Sequence, residues 1–361
     1  MHITHLKLEN FRSFELAEYD FQAAGTAVRG DNGKGKSNLL ESIFFLAVAK
    51  SGRGTRDRDV VRWGSGHFII SAEIVREDQS FSVRIAYDRR SQKKRVFLDE
   101  SPLERLSDLV GHFNAVLFSP EDVDLVLRDP SERRRLLDIL VSQSSTAYLS
   151  DLEQYRRTLS QRNRLLRTQG WQLTQNPAAL IPWDQQLSEI GSRVIHQRID
   201  ALDRMREPLQ IVYAEISPAG EALSVSYRCP SLGENRVETS KALESAMAEK
   251  RAEEANVGYT LVGPHRDQMV FCLDGHPIHK FGSKGQMKSV LLAWKLSEAD
   301  YLTAETGFKP VLLMDDIFSE LDQKRANAVL DLIGSYGQSI LATARDPDLD
   351  LKGRGYAAID L

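Results

Sequence analysis

Eight residues near the start of the chain, Gly30-Asp31-Asn32-Gly33-Lys34-Gly35-Lys36-Ser37, have the types and spacing of G-x-x-x-x-G-K-[ST]. Its glycines let a short loop curl so that backbone N–H groups converge on an anion. A helix opening near Lys36 would add the partial positive charge of its N-terminus. Lys36 then supplies a cation for β- and γ-phosphates, and Ser37 a hydroxyl for Mg²⁺. Near the other end, the apolar run Val311-Leu312-Leu313-Met314 closes on Asp315-Asp316. A carboxylate ending a buried strand suits a hard divalent cation, so Asp315 is read as the second metal ligand. Asp316 stands where a neighbouring carboxylate orients or deprotonates the attacking water. The chemistry expected is ATP hydrolysis with Mg²⁺, with Lys36 and Asp316 as the catalytic pair.

A third candidate is Phe281-Gly282-Ser283-Lys284-Gly285-Gln286, a small-residue turn before the helix-forming stretch 287–300. Such a turn is a second anion-binding helix N-terminus. The polar run Gly263-Pro264-His265-Arg266-Asp267 offers a turn and a His–Asp pair, but no nucleophile accompanies it. It reads first as structural support.

The elements that must hold these residues follow from periodicity. Residues 3–8 alternate as a strand, 11–21 continue extended, and 38–50 read as the helix that the glycine loop opens. Runs at 67–75, 80–87 and 94–98 alternate as an antiparallel sheet. After Pro130 the period becomes helical: Leu152, Tyr155, Leu159 and Leu166 share one face, and Leu187, Ile190, Val194, Leu202 and Met205 another. Gly170, Pro177 and Pro182 mark the break between them. Two long helices there form either a projecting antiparallel arm or a subdomain packed on the rest, and the pattern allows both. A short strand at 223–227 and a charged helix at 240–254 lead back.

At 361 residues the chain exceeds one ordinary domain. Charged residues at 27% and hydrophobic ones at 42% describe a globular chain whose apolar runs are too short to span a bilayer. Cys229 and Cys272 have no ligand or disulfide spacing, and no secretory pattern opens the sequence, so a reducing cytoplasm is expected. The net charge of −4 excludes a uniformly basic nucleic-acid binder. Cations are instead clustered at Arg53, Arg56 and Arg58, at Lys93, Lys94 and Arg95, and at Arg133 to Arg135. The first two clusters are the candidate DNA contacts.

The turn at 281–286 resembles the signature of ABC-type ATPases, which caps a γ-phosphate held by the opposite subunit, and Ser319-Glu320-Leu321-Asp322 resembles their D-loop. The likeness extends along the chain. Asn10-Phe11-Arg12-Ser13, Phe118-Ser119-Pro120-Glu121-Asp122, Gln161 to Leu166, Val262 to Asp267 and Leu313 to Asp316 resemble the RecF family of bacterial recombination mediators. That resemblance implies an ABC/SMC-type α/β P-loop ATPase head built from both chain ends, residues 1–129 and 251–361. A mainly helical arm domain, residues 130–250, would be inserted between them. It also implies Arg12, Ser283, Gly285, Gln286 and Asp322 as further nucleotide contacts, and an ATP-dependent homodimer. The implied function is an ATP-driven DNA clamp near single-strand/double-strand junctions, assisting RecA loading with RecO and RecR. The rival is an ABC-type switch subunit of a nuclease or anti-phage system. The chain departs from the family pattern at Lys284 (usually Gln), Arg128 (usually Gly) and Leu136 (usually aromatic). On that resemblance, Lys284 would bring a cation to the γ-phosphate position.

Overall fold

The computed structural model describes residues 1–119, 123, 129–175, 177–217, 220–318, 323–343 and 351–361. The alternating start forms β1 (His2–Phe11), but the chain does not continue extended to residue 21 as expected. Asn10 and Arg12 adopt φ near +50°, and the chain reverses into β2 (Phe14–Asp20), pairing antiparallel with β1. Then follow β3 (Gly25–Arg29), α1 (Lys36–Val48), the one-turn α2 (Asp57–Val60), β4 (His67–Arg76), β5 (Gln79–Asp88), β6 (Lys93–Leu98), β7 (Ser101–Pro102) and β8 (Ala115–Phe118). The helical region holds α3 (Pro130–Ser144), α4 (Thr146–Gln175) and α5 (Ile181–Ile216). The rest is β9 (Leu223–Arg228), α6 (Arg236–Val257), β10 (Gln268–Leu273), β11 (His276–Pro277), α7 (Ile278–Phe281), α8 (Lys284–Thr306), β12 (Val311–Asp315), α9 (Gln323–Gly334), β13 (Ser339–Thr343) and β14 (Ala357–Asp360).

Strands from both chain ends build one parallel sheet, in the order β14-β3-β13-β12-β8. A parallel sheet needs cover on both faces, and the side-chain alternation divides accordingly. Val28, Ala115, Leu117, Val311, Leu313, Ile340 and Ala342 enter a core with α1 and the six-stranded antiparallel sheet β2-β1-β4-β5-β6-β7. Ala27, Val116, Phe118, Leu312, Met314 and Leu341 enter a second core with α3, α5, α8 and α9. The parallel sheet is therefore the middle layer.

Helix α5 buries Val194, Leu202, Met205 and Leu209 in the same core as Val290, Leu291 and Trp294 of α8. This half of the helical region is packed on the sheet's covering helices rather than projecting. Gly170 lies inside α4, not in a break; a Cβ there would meet the Ala255 carbonyl at 2.4 Å, so glycine lets α4 approach α6. Pro182 sits in the first turn of α5, where its missing N–H costs nothing. Among the described residues no helix is long and apolar enough to cross a membrane.

Candidate nucleotide site and nucleic-acid interface

The ends of β3, β13 and β12 are level: Arg29 pairs with Thr343, and Ala342 with Asp315. The glycine loop leaves β3 and Asp315 closes β12, so both open on the same edge with β13 between them. In the loop, Gly30 and Gly35 have φ of +147° and +103°. A Cβ would meet the Leu361 carbonyl oxygen at 2.9 Å from Gly30 and Ser13 Oγ at 2.9 Å from Gly35. Both positions thus exclude larger residues twice over, by dihedral and by space. Gly35 caps α1, which begins at Lys36 as the motif requires.

Asp31, Asn32, Gly33 and Lys34 are exposed on the rim. Lys36 is 7% exposed and folds back into the loop, its Nζ donating to the carbonyls of Gly30 at 2.5 Å and Asp31 at 3.0 Å. The ammonium is thereby held inside the concavity formed by the loop. Ser37 is half-buried one residue on. A hydroxyl and a buried carboxylate, Asp315, form a hard-oxygen donor set suited to Mg²⁺. Among the described residues no cluster of three His, Cys, Asp or Glu side chains is placed to hold a metal. A metal here would therefore depend on phosphates and water for its remaining ligands, which is how Mg²⁺ is commonly held. Asp316 has φ +46° and donates its N–H to Ala342 O at 2.9 Å, so the chain turns sharply immediately after the strand.

Arg12 bonds to α1 and to the loop after it. Its guanidinium makes two bonds to the fully buried Glu41 of α1, at 3.0 and 2.9 Å, and another to Thr55 Oγ1. Ser51 Oγ donates to the same carboxylate at 2.5 Å and accepts from the Arg53 N–H at 3.1 Å. The Arg53 side chain then reaches Asp315, with Nη2 3.6 Å from Oδ2. Glu41 and this use of Arg53 escaped the sequence reading. The available signal was a carboxylate on the apolar face of α1, among Leu40, Phe44 and Phe45.

Ser283 and Gln286 form a reciprocal cap at the start of α8: Gln286 N–H donates to Ser283 Oγ at 3.2 Å, and Ser283 N–H to Gln286 Oε1 at 2.7 Å. Ser283, Lys284 and Gly285 are exposed, beside Phe281 at 71% exposure. Among the described residues no hydrogen bond joins this turn to the 30–37 loop. Asp322, with Ser319 to Leu321, lies outside the described residues.

The basic clusters separate by direction. Arg56 and Arg58 are exposed, as are Lys93 and Arg95 on one face of β6. Lys94 points the other way, bonding Ala49 O at 2.6 Å and Asp57 at 2.7 Å over the Phe45 ring, so it has no charge to offer a phosphate. Arg133 and Arg134 bond the carbonyls of Met269 and Asp267, and Arg135 those of Ser51 and Gly52. That third cluster ties α3 to β10 and to the loop after α1.

The 263–267 run is also structural. His265 Nε2 faces Thr260 O at 3.1 Å and Nδ1 faces the Tyr155 hydroxyl at 2.7 Å, which fixes the proton on Nε2. Burial pushes the imidazole down to about 4. Asp267 accepts from Tyr227 at 2.8 Å, and burial raises its pKa. The neighbouring Arg198 bonds Pro264 O and pairs with buried Asp138 at 2.7 Å.

Comparison with known proteins places this arrangement. The RecF/RecN/SMC N-terminal domain model matches residues 2–352. The DNA replication and repair protein RecF of Salinibacter ruber is 36% identical over 353 residues, spanning 95% of this chain and 85% of that one. The chain belongs to the RecF family. RecF of a Geobacillus species is 35% identical, over 95% of this chain and 92% of its own. The solved structure of the recombination mediator protein RecF-ATP in the RecFOR pathway superimposes with a TM-score of 0.89 at 29% identity, covering 96% of this RecF-family chain and 93% of that one. An Smc head bound to the C-winged helix domain of ScpA, at TM-score 0.53 and 17% identity, shares the fold alone. The ABC/SMC-type head built from both chain ends is therefore the architecture of this chain.

Proposed function

We propose that the chain is an ATP-dependent DNA clamp of recombinational repair. The observation that carries this reading is the level edge where the glycine loop and Asp315-Asp316 open together, on a chain of the RecF family whose relatives are DNA replication and repair proteins. Residues 1–129 and 251–361 would act as the head, with 130–250 as its helical attachment. The 30–37 loop binds the phosphates, and Lys36 carries the charge that meets them. Ser37 and Asp315 would hold Mg²⁺, which when bound neutralises developing phosphate charge. Asp316 orients and deprotonates the attacking water.

Ser283, Gly285 and Gln286 lie on an exposed helix start apart from the loop, so they serve a nucleotide best across an interface between two copies. Arg12, oriented by Glu41, is a further nucleotide contact, and Asp322 belongs with the trans contacts. ATP closes the homodimer on DNA near single-strand/double-strand junctions, hydrolysis releases it, and RecO- and RecR-like mediators are the partners in RecA loading. Arg56, Arg58, Lys93 and Arg95, all exposed, are the DNA contacts, with Arg58 also beside the exposed Asp59.

Two variants test the reading. Asp316→Asn should dimerise and hold DNA with ATP in light scattering while turnover falls by roughly 10²-fold or more. Ser283→Arg should bind ATP in calorimetry yet stay monomeric. Wild-type turnover in the first removes the base, and normal dimerisation in the second removes the trans arrangement.

A further inference from the structure

Trp63 is 95% exposed. Among the described residues it is the most exposed of the large hydrophobic side chains. Its backbone is nonetheless firmly held. Arg62 N–H donates to Asn10 O at 2.8 Å, Ser65 N–H to Arg62 O at 3.0 Å, and Ser65 Oγ to the Asn10 side chain at 3.0 Å. Gly64 has φ +83°, the value a type II turn requires at its third residue, which places Trp63 at the outer corner. Trp63 borders a hollow of about 320 Å³ lined also by Arg58, Arg89, Val61 and Gly64. Both arginines are exposed. Among the described residues Asp59 is the one carboxylate lining the hollow, and Arg58 lies 3.4 Å from it.

We propose that this corner is a base-stacking platform: an unpaired nucleotide stacks on the Trp63 indole while Arg58 and Arg89 hold its flanking phosphates. The charge balance favours nucleic acid over a protein partner. A protein hot spot needs an apolar surround that excludes water, and here a single ring stands among guanidiniums. Every base has a π-face, so such a platform reads single-strandedness without reading sequence. The rigid turn leaves little ordering entropy to lose. This inference rests on the DNA-clamp reading and adds to it the residue that would recognise the unpaired side of a junction.

The test uses the full chain with ATP and Mg²⁺ and three probes: a duplex with a single-stranded tail, the same duplex blunt, and one whose tail carries abasic sites. Trp63→Ala should weaken the tailed duplex roughly 5- to 100-fold. It should leave the blunt duplex unchanged, and Trp63→Phe should restore most of the loss. Abasic tails should bind wild type as weakly as the tailed duplex binds Trp63→Ala. Full affinity of Trp63→Ala for the tailed duplex, or equal loss on all three probes, overturns the platform while leaving the clamp intact. Loss of a protein partner with DNA affinity unchanged assigns the corner to a protein interface and also overturns it. A wild-type chain that binds none of the three probes refutes the clamp reading itself.

Discussion

Arg53 Nη2 stands 3.6 Å from Asp315 Oδ2, at the edge where the glycine loop and the acidic strand meet. The guanidinium therefore occupies the approach to the carboxylate proposed to hold Mg²⁺, and it competes with the metal for the same charge. Arg53→Ala should lower the Mg²⁺ concentration needed for half-maximal ATP binding about two- to five-fold, since a partly exposed pair is worth up to about 1 kcal/mol. A Mg²⁺ titration followed by calorimetry reads this directly. An unchanged or higher requirement would show that Arg53 assists the metal instead.

Lys36 is buried against two loop carbonyls, with no other cation of the loop inside the concavity. Lys36→Ala should weaken ATP binding roughly 10- to 100-fold, the scale of a lost charge-assisted bond. The far-ultraviolet circular dichroism should stay native, because α1 is anchored by its own apolar face. Wild-type affinity would refute the assignment of the loop.

Among the basic clusters, the exposed cations rather than those bonded inward should set the salt dependence of DNA binding. Arg56→Glu with Arg58→Glu should weaken all sequences alike and reduce the slope of log affinity against log salt by about 2. Lys94→Ala should instead lower the unfolding temperature and leave the slope alone, because its ammonium bonds Ala49 and Asp57. A slope that responds to Lys94 and not to the two arginines would move the DNA site.

His265 gives the fold an acid limit. Its folded pKa is about 4 against an ordinary 6.5, so between those values the unfolded chain binds the proton that the folded chain refuses. Stability is complete above about pH 6.5 and falls as pH drops toward 4, by up to about 3 kcal/mol from this group. Urea unfolding at pH 7.5 and 4.5 should show that loss in the wild type and a smaller one in His265→Gln. Parallel losses in the two proteins would place the acid sensitivity elsewhere.

The sequence disclosed the nucleotide loop and acidic strand because their chemistry is written in contiguous residues. That both chain ends share one head is implied by the family resemblance, while β3 itself, a five-residue strand at Gly25–Arg29, is not read as a separate element. The sequence did not disclose where the arginines point. Arg53 and Arg133 to Arg135 read as clustered charges in a linear string and Arg12 as a nucleotide contact, yet their partners, Asp315, the carbonyls of Ser51, Asp267 and Met269, and Glu41, come from distant elements. Lys94 was more accessible: alternation along β6 sets it opposite Lys93 and Arg95, and attention to that period separates it. Gly170 read as a break because its reason, a carbonyl of α6 at the crossing, is 85 positions away along the chain.

The middle sheet also fixes when the site can come into being. Its order, β14-β3-β13-β12-β8, gives the loop strand β3 two neighbours, β13 and β14, that both come from the last third of the chain. On the ribosome, β3 and the glycine loop wait with an unpaired edge until β13 has emerged, for most of the time translation takes. Nucleotide cannot select the native state of a nascent chain shorter than that, and the exposed edges of β3 and β8 are the surfaces a chaperone must shield. A ribosome stalled before residue 339 would already have made Asp315 at the end of β12, yet without β13 nothing would hold the phosphate loop and that carboxylate in register.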